Sequence, residues 1–282
     1  MATLRAPRTL AFRSAFCSLL SVASLACGTR SVDEPPRPEH SPRAADPLPR
    51  GLTLRTVEHL GARYTVASLD LNEVELDLYG QGPEGGSLNT VPAVRAWLTA
   101  QGRRMVLATN AGIFETDGRA LGLHIERGVE HTPRNLADAP GNFFLKPNAV
   151  FYVATVGGEL QAHVVETSAF DEPVSRVRLA TQSGPALLLN GELHPRFLPD
   201  SDSFKLRSGV GVAAGAPHVV HLAISDGEVR FHDFGTLFRD ALACTDALFL
   251  DGTISVLNAP GRRGVAHEGD RFGGILVVSE PR

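Results

Sequence analysis

FFLKPNAVFYVATVGGELQAHVVETSAFDEPVSRVRLATQSGPALLLNGEL, residues 143–193, decides the fold. Residues 143–155, 160–166, 178–184 and 186–193 are short apolar runs punctuated by glycine and by polar turns. Each has strand length, and none sustains the 3.6-residue period of an amphipathic helix. The same texture extends outward in both directions. Residues 52–59, 63–71, 74–80, 104–112 and 121–128 precede it; 209–215, 218–227, 229–234, 247–252 and 273–279 follow it.

Only two segments read as helices. In TVPAVRAWLTAQG (90–102), Thr90 is placed to cap, Pro92 suits the first turn, and Val91, Val94 and Leu98 share a face. In GTLFRDALACT (235–245), Leu237, Phe238, Ala241 and Leu242 lie together with the preceding Phe234. Many strands, two helices and hairpin turns such as Asn190-Gly191-Glu192 predict an α+β fold. The expected core is one large mixed β-sheet with a few packing helices, in a single domain. Helices do not alternate with strands, which argues against a doubly wound sheet.

The N-terminus has a different character. Residues 1–26 carry Arg5, Arg8 and Arg13, no acid, and an uncharged run from Ser14 to Ala26. That run is too short to span a bilayer but suits the apolar part of a signal peptide. It ends in small residues before Cys27, which predicts cleavage there and a lipid on the Cys27 thiol. Residues 27–50 include six prolines and charges of both signs, the composition of a solvated tether. The folded domain is expected over residues 51–282. These features place it in the cell envelope, held to a membrane by its lipid.

Three of the 27 basic residues and none of the 31 acids lie in the signal, leaving 24 against 31 and a formal charge of −7. This disfavours a general nucleic-acid binder. Cys17 leaves with the signal, Cys27 is spoken for, and Cys244 has no partner, so no disulfide framework exists. Cys244 reads as a small buried hydrophobe at the end of the second helix. No nucleophile elbow, phosphate loop or paired Cys/His metal spacing is present. No metal site is expected, and no cofactor can be named. His218, His221 and His232 read as strand or surface residues; His124, after the Asn110 strand, is the more interesting one.

Four polar clusters stand beside glycine at strand ends: Asn110-Ala111-Gly112, Gln182-Ser183-Gly184, Arg207-Ser208-Gly209 and Asp251-Gly252. Such ends expose backbone amides and admit a ligand closely, so the four predict one shared pocket. Lys146, one of two lysines with Lys205, interrupts an apolar run and is a candidate anion partner.

Taken together, NAGIF (110–114), GNFFLKPNAVF (141–151), QSGPALL (182–188), RSGVGV (207–212) and FLDG (249–252) resemble the phosphodiester glycosidase family, in family order. They look closest to a branch of short exported bacterial members. The family typically has Asn-Gly-Gly-Phe-Phe where this chain has NAGIF. It typically has Leu-Asp-Gly-Gly-Gly-Ser where this chain has Leu250-Asp251-Gly252-Thr253-Ile254-Ser255. The bulkier Thr253 and Ile254 imply a different substrate. The resemblance implies hydrolysis of a sugar-1-phosphodiester, a glycan or phosphoglycan, to free sugar and phosphomonoester. On that reading Asp251, Arg207, Asn110 and Glu115 are the catalytic candidates. Asn148, Lys146, Gln182, Ser183, Gly184 and His124 are the substrate-binding candidates. The same pocket also suits a non-catalytic, lipid-anchored glycan-binding protein.

Overall fold

The computed structural model describes residues 47–82, 86–261 and 270–282. The signal, Cys27 and the tether up to residue 46 lie outside the described residues.

The strands form three sheets. The first contains β1 (Leu52–His59), β2 (Ala62–Asp70), β10 (Ala186–Leu189), β11 (Glu192–Leu193), β12 (Ser208–Ala213), β13 (Ala216–Ser225) and β14 (Cys244–Asp251). Its spatial order is β1-β2-β13-β12-β14-β10-β11. The second contains β3 (Leu76–Tyr79), β4 (Arg103–Asn110), β15 (Leu257–Asn258) and β16 (Ile275–Pro281), in the order β15-β4-β16-β3. The third contains β5 (His124–Glu126), β6 (Val129–Thr132), β7 (Ala149–Val156), β8 (Glu159–Glu166) and β9 (Val177–Ser183), in the order β6-β5-β9-β7-β8.

The described residues are therefore sheet-rich with two helices, as expected, but the single mixed sheet is replaced. Every pairing among these strands is antiparallel. The physical reason is the scarcity of helices: parallel neighbours need long crossovers, usually helical, whereas hairpins need only short turns. Strand β8 packs against β10, β12, β13 and β14, setting the third sheet on the first. One apolar core draws on all three sheets, with Leu69, Val210 and Leu248 from the first, Leu107 and Leu276 from the second, and Phe151 and Leu179 from the third.

Helix α1 (Val91–Ala100) forms as its sequence predicts. The Thr90 side chain accepts from the Ala93 N–H at 3.2 Å, and Val91, Val94 and Leu98 are buried. The second helix differs from expectation. It starts earlier, with α2 at Phe231–Thr236, and continues as a wide π-turn through Leu237–Ala241. Residues 231–234 are thus helical rather than strand. The period that wins is that of the buried Phe234, Leu237, Phe238 and Leu242. Cys244 starts β14 instead of ending the helix, and burial pushes its thiol up to about 12. Gly211 explains the close fit of this helix on the sheet: a Cβ there would stand 2.5 Å from a Phe238 ring carbon.

Candidate active site

Strands β12 and β14 carry the charged pair that matters. Ser208 sits opposite Asp251, so Arg207 enters β12 just as Asp251 leaves β14. Two hydrogen bonds pin Arg207's backbone. Its N–H donates to Ser225 Oγ at 3.0 Å, and its carbonyl accepts from the Ser225 N–H at 2.9 Å. Both side chains line a cavity of about 440 Å³, a size that suits a small ligand. Phe249, Gly252 and Thr253 continue this wall. Ile113, Leu121 and residues 140–144 form the facing wall, and Lys205 completes the lining.

Arg207 is only 1% exposed. Its Nε donates to the Val229 carbonyl at 2.9 Å and its Nη2 to the Ser203 carbonyl at 3.3 Å. The guanidinium lies 3.5 Å from the Phe231 ring centroid, and Phe231 in turn packs on Phe197 and Phe249. Among the described residues no carboxylate pairs with it. Burial pushes its pKa down to about 10, so it stays cationic at neutral pH. A guanidinium has five N–H donors, and these two carbonyls use only part of that fork. A buried cation with no counter-ion is costly, and an anion entering the cavity offsets that cost.

Asp251 supplies the opposite charge without neutralising Arg207, since the two form no ion pair. Its Oδ1 accepts from the Gly252 N–H at 2.5 Å, and its carbonyl accepts from Ser255 Oγ at 2.9 Å. Burial raises its pKa to about 6. A carboxylate poised near neutrality and a buried cation share one cavity, so a proton acceptor and an anion partner stand together.

The other expected residues take different places. Asn110 lies behind the cavity. Its Nδ2 donates to Ser208 Oγ at 2.9 Å, and its Oδ1 accepts from the Val256 N–H at 3.0 Å. Ser208 and Ser255 share a 3.0 Å hydrogen bond and both reach the Asp251 carbonyl, so Asn110 holds the Asp251 loop rather than a ligand. Gln182 has its amide engaged by the chain: Oε1 accepts from the Leu123 and Asn135 N–H groups and Nε2 donates to the Asn135 carbonyl at 2.6 Å. Ser183 Oγ donates to the Leu250 carbonyl at 3.0 Å and accepts from the Ile113 N–H, tying the 110–114 segment to β14.

Gly184 and Asn148 shape the wall at residues 141–144. A Cβ on Gly184 would lie 2.4 Å from the Phe143 carbonyl oxygen, and Asn148 Nδ2 donates to that same oxygen at 2.8 Å. Lys146 points elsewhere and pairs with Asp138 at 2.5 Å. Glu115 is exposed in a turn closed by its N–H to the Arg119 carbonyl. His124 is buried and bonds Glu126 at 2.6 Å. These three line no part of the cavity. Of the four strand ends expected to converge, Arg207 and Asp251 meet in the cavity, while Asn110 and Gln182 support it from outside.

The profile of the phosphodiester glycosidase family matches residues 103–258. The chain belongs to that family. The matched segment of this phosphodiester glycosidase homologue contains Arg207, Asp251 and both cavity walls. Strands β1, β2, β3 and β16 lie outside it, yet β16 is an inner strand of the second sheet. The chain is 36% identical to the uncharacterised protein YigE of Escherichia coli K12 over 205 residues, covering 73% of this chain and 76% of that one. The fold is similar to that of the zebrafish N-acetylglucosamine-1-phosphodiester α-N-acetylglucosaminidase catalytic domain, auto-inhibited by its pro-peptide. That match has a TM-score of 0.54 and 15% identity over 80% of this chain and 81% of that one. A Burkholderia pseudomallei protein described as exported is similar at a TM-score of 0.51 and 13% identity, over 77% and 74% of the two chains. At such identities the likeness is one of fold. Within the family segment the residues that sequence reasoning missed are Lys205, Asn142 and the aromatic wall of Phe143 and Phe144. The signal for Lys205 was its place two residues before Arg207, on the same side of an extended segment.

Proposed function

We propose that this protein hydrolyses a sugar-1-phosphodiester, with Arg207 at the phosphate and Asp251 at the sugar. The observation that carries this reading is the pair of charges in one cavity, a buried guanidinium and a carboxylate that do not neutralise each other. In the reaction a water oxygen bonds to the anomeric carbon. The bond from that carbon to the phosphate oxygen breaks, and its electron pair leaves with the phosphate. Asp251, ionised, takes a proton from the attacking water and faces the positive charge that grows on the sugar. Arg207's unused N–H donors stabilise the phosphomonoester as it departs. The apolar wall of Ile113, Leu121, Phe143 and Phe144 excludes water from the far face.

Incubating residues 47–282 with a panel of sugar-1-phosphodiesters should release free sugar and phosphomonoester in equal amounts. Tight binding of a non-hydrolysable phosphonate analogue without cleavage of any panel member would instead make this a glycan-binding protein.

The proposed setting is the cell envelope, with the domain held to a membrane through Cys27. No helix among the described residues is long and apolar enough to cross a membrane. Cys27→Ser in the full chain should move the protein from the membrane fraction to the soluble exported fraction. Unchanged fractionation would rule out the anchor.

A further inference from the structure

Lys205 is the second cation of the cavity, and the glycosidase reaction as proposed does not use it. Its position is set by the backbone. The Lys205 N–H donates to the Val229 carbonyl at 3.2 Å and its carbonyl accepts from the Val229 N–H at 2.8 Å. The same Val229 carbonyl accepts Arg207 Nε at 2.9 Å, so one backbone group fixes both cationic residues. Arg207 is buried and Lys205 exposed, and both line the cavity. Lys205 thus stands on the solvent side of Arg207.

Lys205 also differs from the other lysine in charge pairing. Lys146 holds Asp138. Among the described residues Lys205 has no acidic partner, although the mature chain is acidic overall. A phosphodiester carries one negative charge, which Arg207 meets, and Asp251 faces the sugar. One positive charge at the cavity mouth is then left over.

We propose that Lys205 reads a second phosphate on the aglycone, so that the substrate is a sugar phosphodiester whose leaving group is itself phosphorylated. This rests on the reading of Arg207 as the diester's partner. Residues two apart in an extended chain are separated by about 6–7 Å, which places the second phosphate a few bonds beyond the first.

The test compares two esters of one sugar: a methyl phosphodiester, with one charge, and a phosphoglyceryl phosphodiester, with a second phosphate. The wild type should prefer the second in kcat/KM by about three- to tenfold, and rising salt should shrink that preference, as expected for a charge at the rim. Lys205→Ala should abolish the preference, and Lys205→Arg should retain it. Equal kcat/KM for the two esters in the wild type, or a preference that survives in Lys205→Ala, overturns the proposal. Cleavage of neither ester counts against the hydrolase reading instead. The two matching phosphonates then decide about Lys205 by equilibrium binding, and equal affinities overturn its role.

Discussion

Asp251→Asn should lower kcat by about 10²–10⁴-fold while making the protein more stable at alkaline pH. Both effects come from burial of the same carboxylate. Asparagine keeps an oxygen for the Gly252 N–H but cannot take a proton from water, so turnover falls far more than binding of a phosphonate analogue. In the wild type the rising acid limb of kcat/KM should fall near pH 6, where Asp251 ionises.

The stability effect follows from the same shift. Below the ordinary value of 3.8 both the folded and the unfolded carboxyl hold a proton, and folding is indifferent to pH through this group. Between 3.8 and about 6 the folded protein keeps a proton that the unfolded chain has lost. Above about 6 the folded carboxylate is charged in a site that disfavours charge, and the cost is complete at about 3 kcal/mol. Asparagine carries no such cost. Denaturant midpoints for Asp251→Asn should therefore exceed the wild type's at pH 8 and match them at pH 3.5. A variant equally active at pH 8 would remove Asp251 from the catalytic role, and one no more stable there would mean that the buried carboxylate carries no such cost.

Arg207→Ala should weaken binding of an anionic analogue as well as slow turnover, because in the proposed reaction its charge meets the phosphate in the ground state and the transition state alike. Losing one member of a buried charge pair costs about 2–5 kcal/mol, or roughly 30- to 4000-fold in kcat/KM. Arg207→Lys should recover only part of this. A lysine cannot reach the Val229 and Ser203 carbonyls and still present a fork to the ligand. In a melting experiment the phosphonate should stabilise the wild type and leave Arg207→Ala unmoved. Equal ligand-induced shifts in the two proteins would mean that the anion sits elsewhere.

These two residues were legible in the sequence because their chemistry is local. An arginine and an aspartate at glycine-flanked strand ends announce themselves by type and place. Helix α1 was legible for a similar reason, since cap, proline and apolar face all lie within about ten residues. Asn110, Gln182 and Ser183 show what was not legible. Each stands at a strand end and is polar, as a ligand-binding residue would be. Their partners are 98, 47 and 67 residues away, at Ser208, Asn135 and Leu250, so nothing nearby reveals that they already bond within the fold. Lys146 read as a candidate anion partner because it interrupts an apolar run, and the anion it meets is Asp138 of the same chain. The division into three sheets depends wholly on distant pairing. The early start of α2 escaped because Val229, Arg230, Phe231 and His232, leading into it, alternate like a strand.

The pairing of β2 with β13 has a kinetic consequence. Leu69 lies opposite Val220, about 150 residues further along the chain, and β1 reaches the sheet only through β2. Joining ends so far apart requires a large loop to close before any contact repays it, so refolding should fall toward the slow, millisecond-to-second end for its class. The β12–β13 hairpin and β14, which carry Arg207 and Asp251, are near neighbours in sequence and are able to pair early. The facing wall at residues 113–144 arrives from another part of the chain. Recovery of phosphonate binding during refolding should therefore trail the first appearance of β-structure, with the cavity among the last features to assemble.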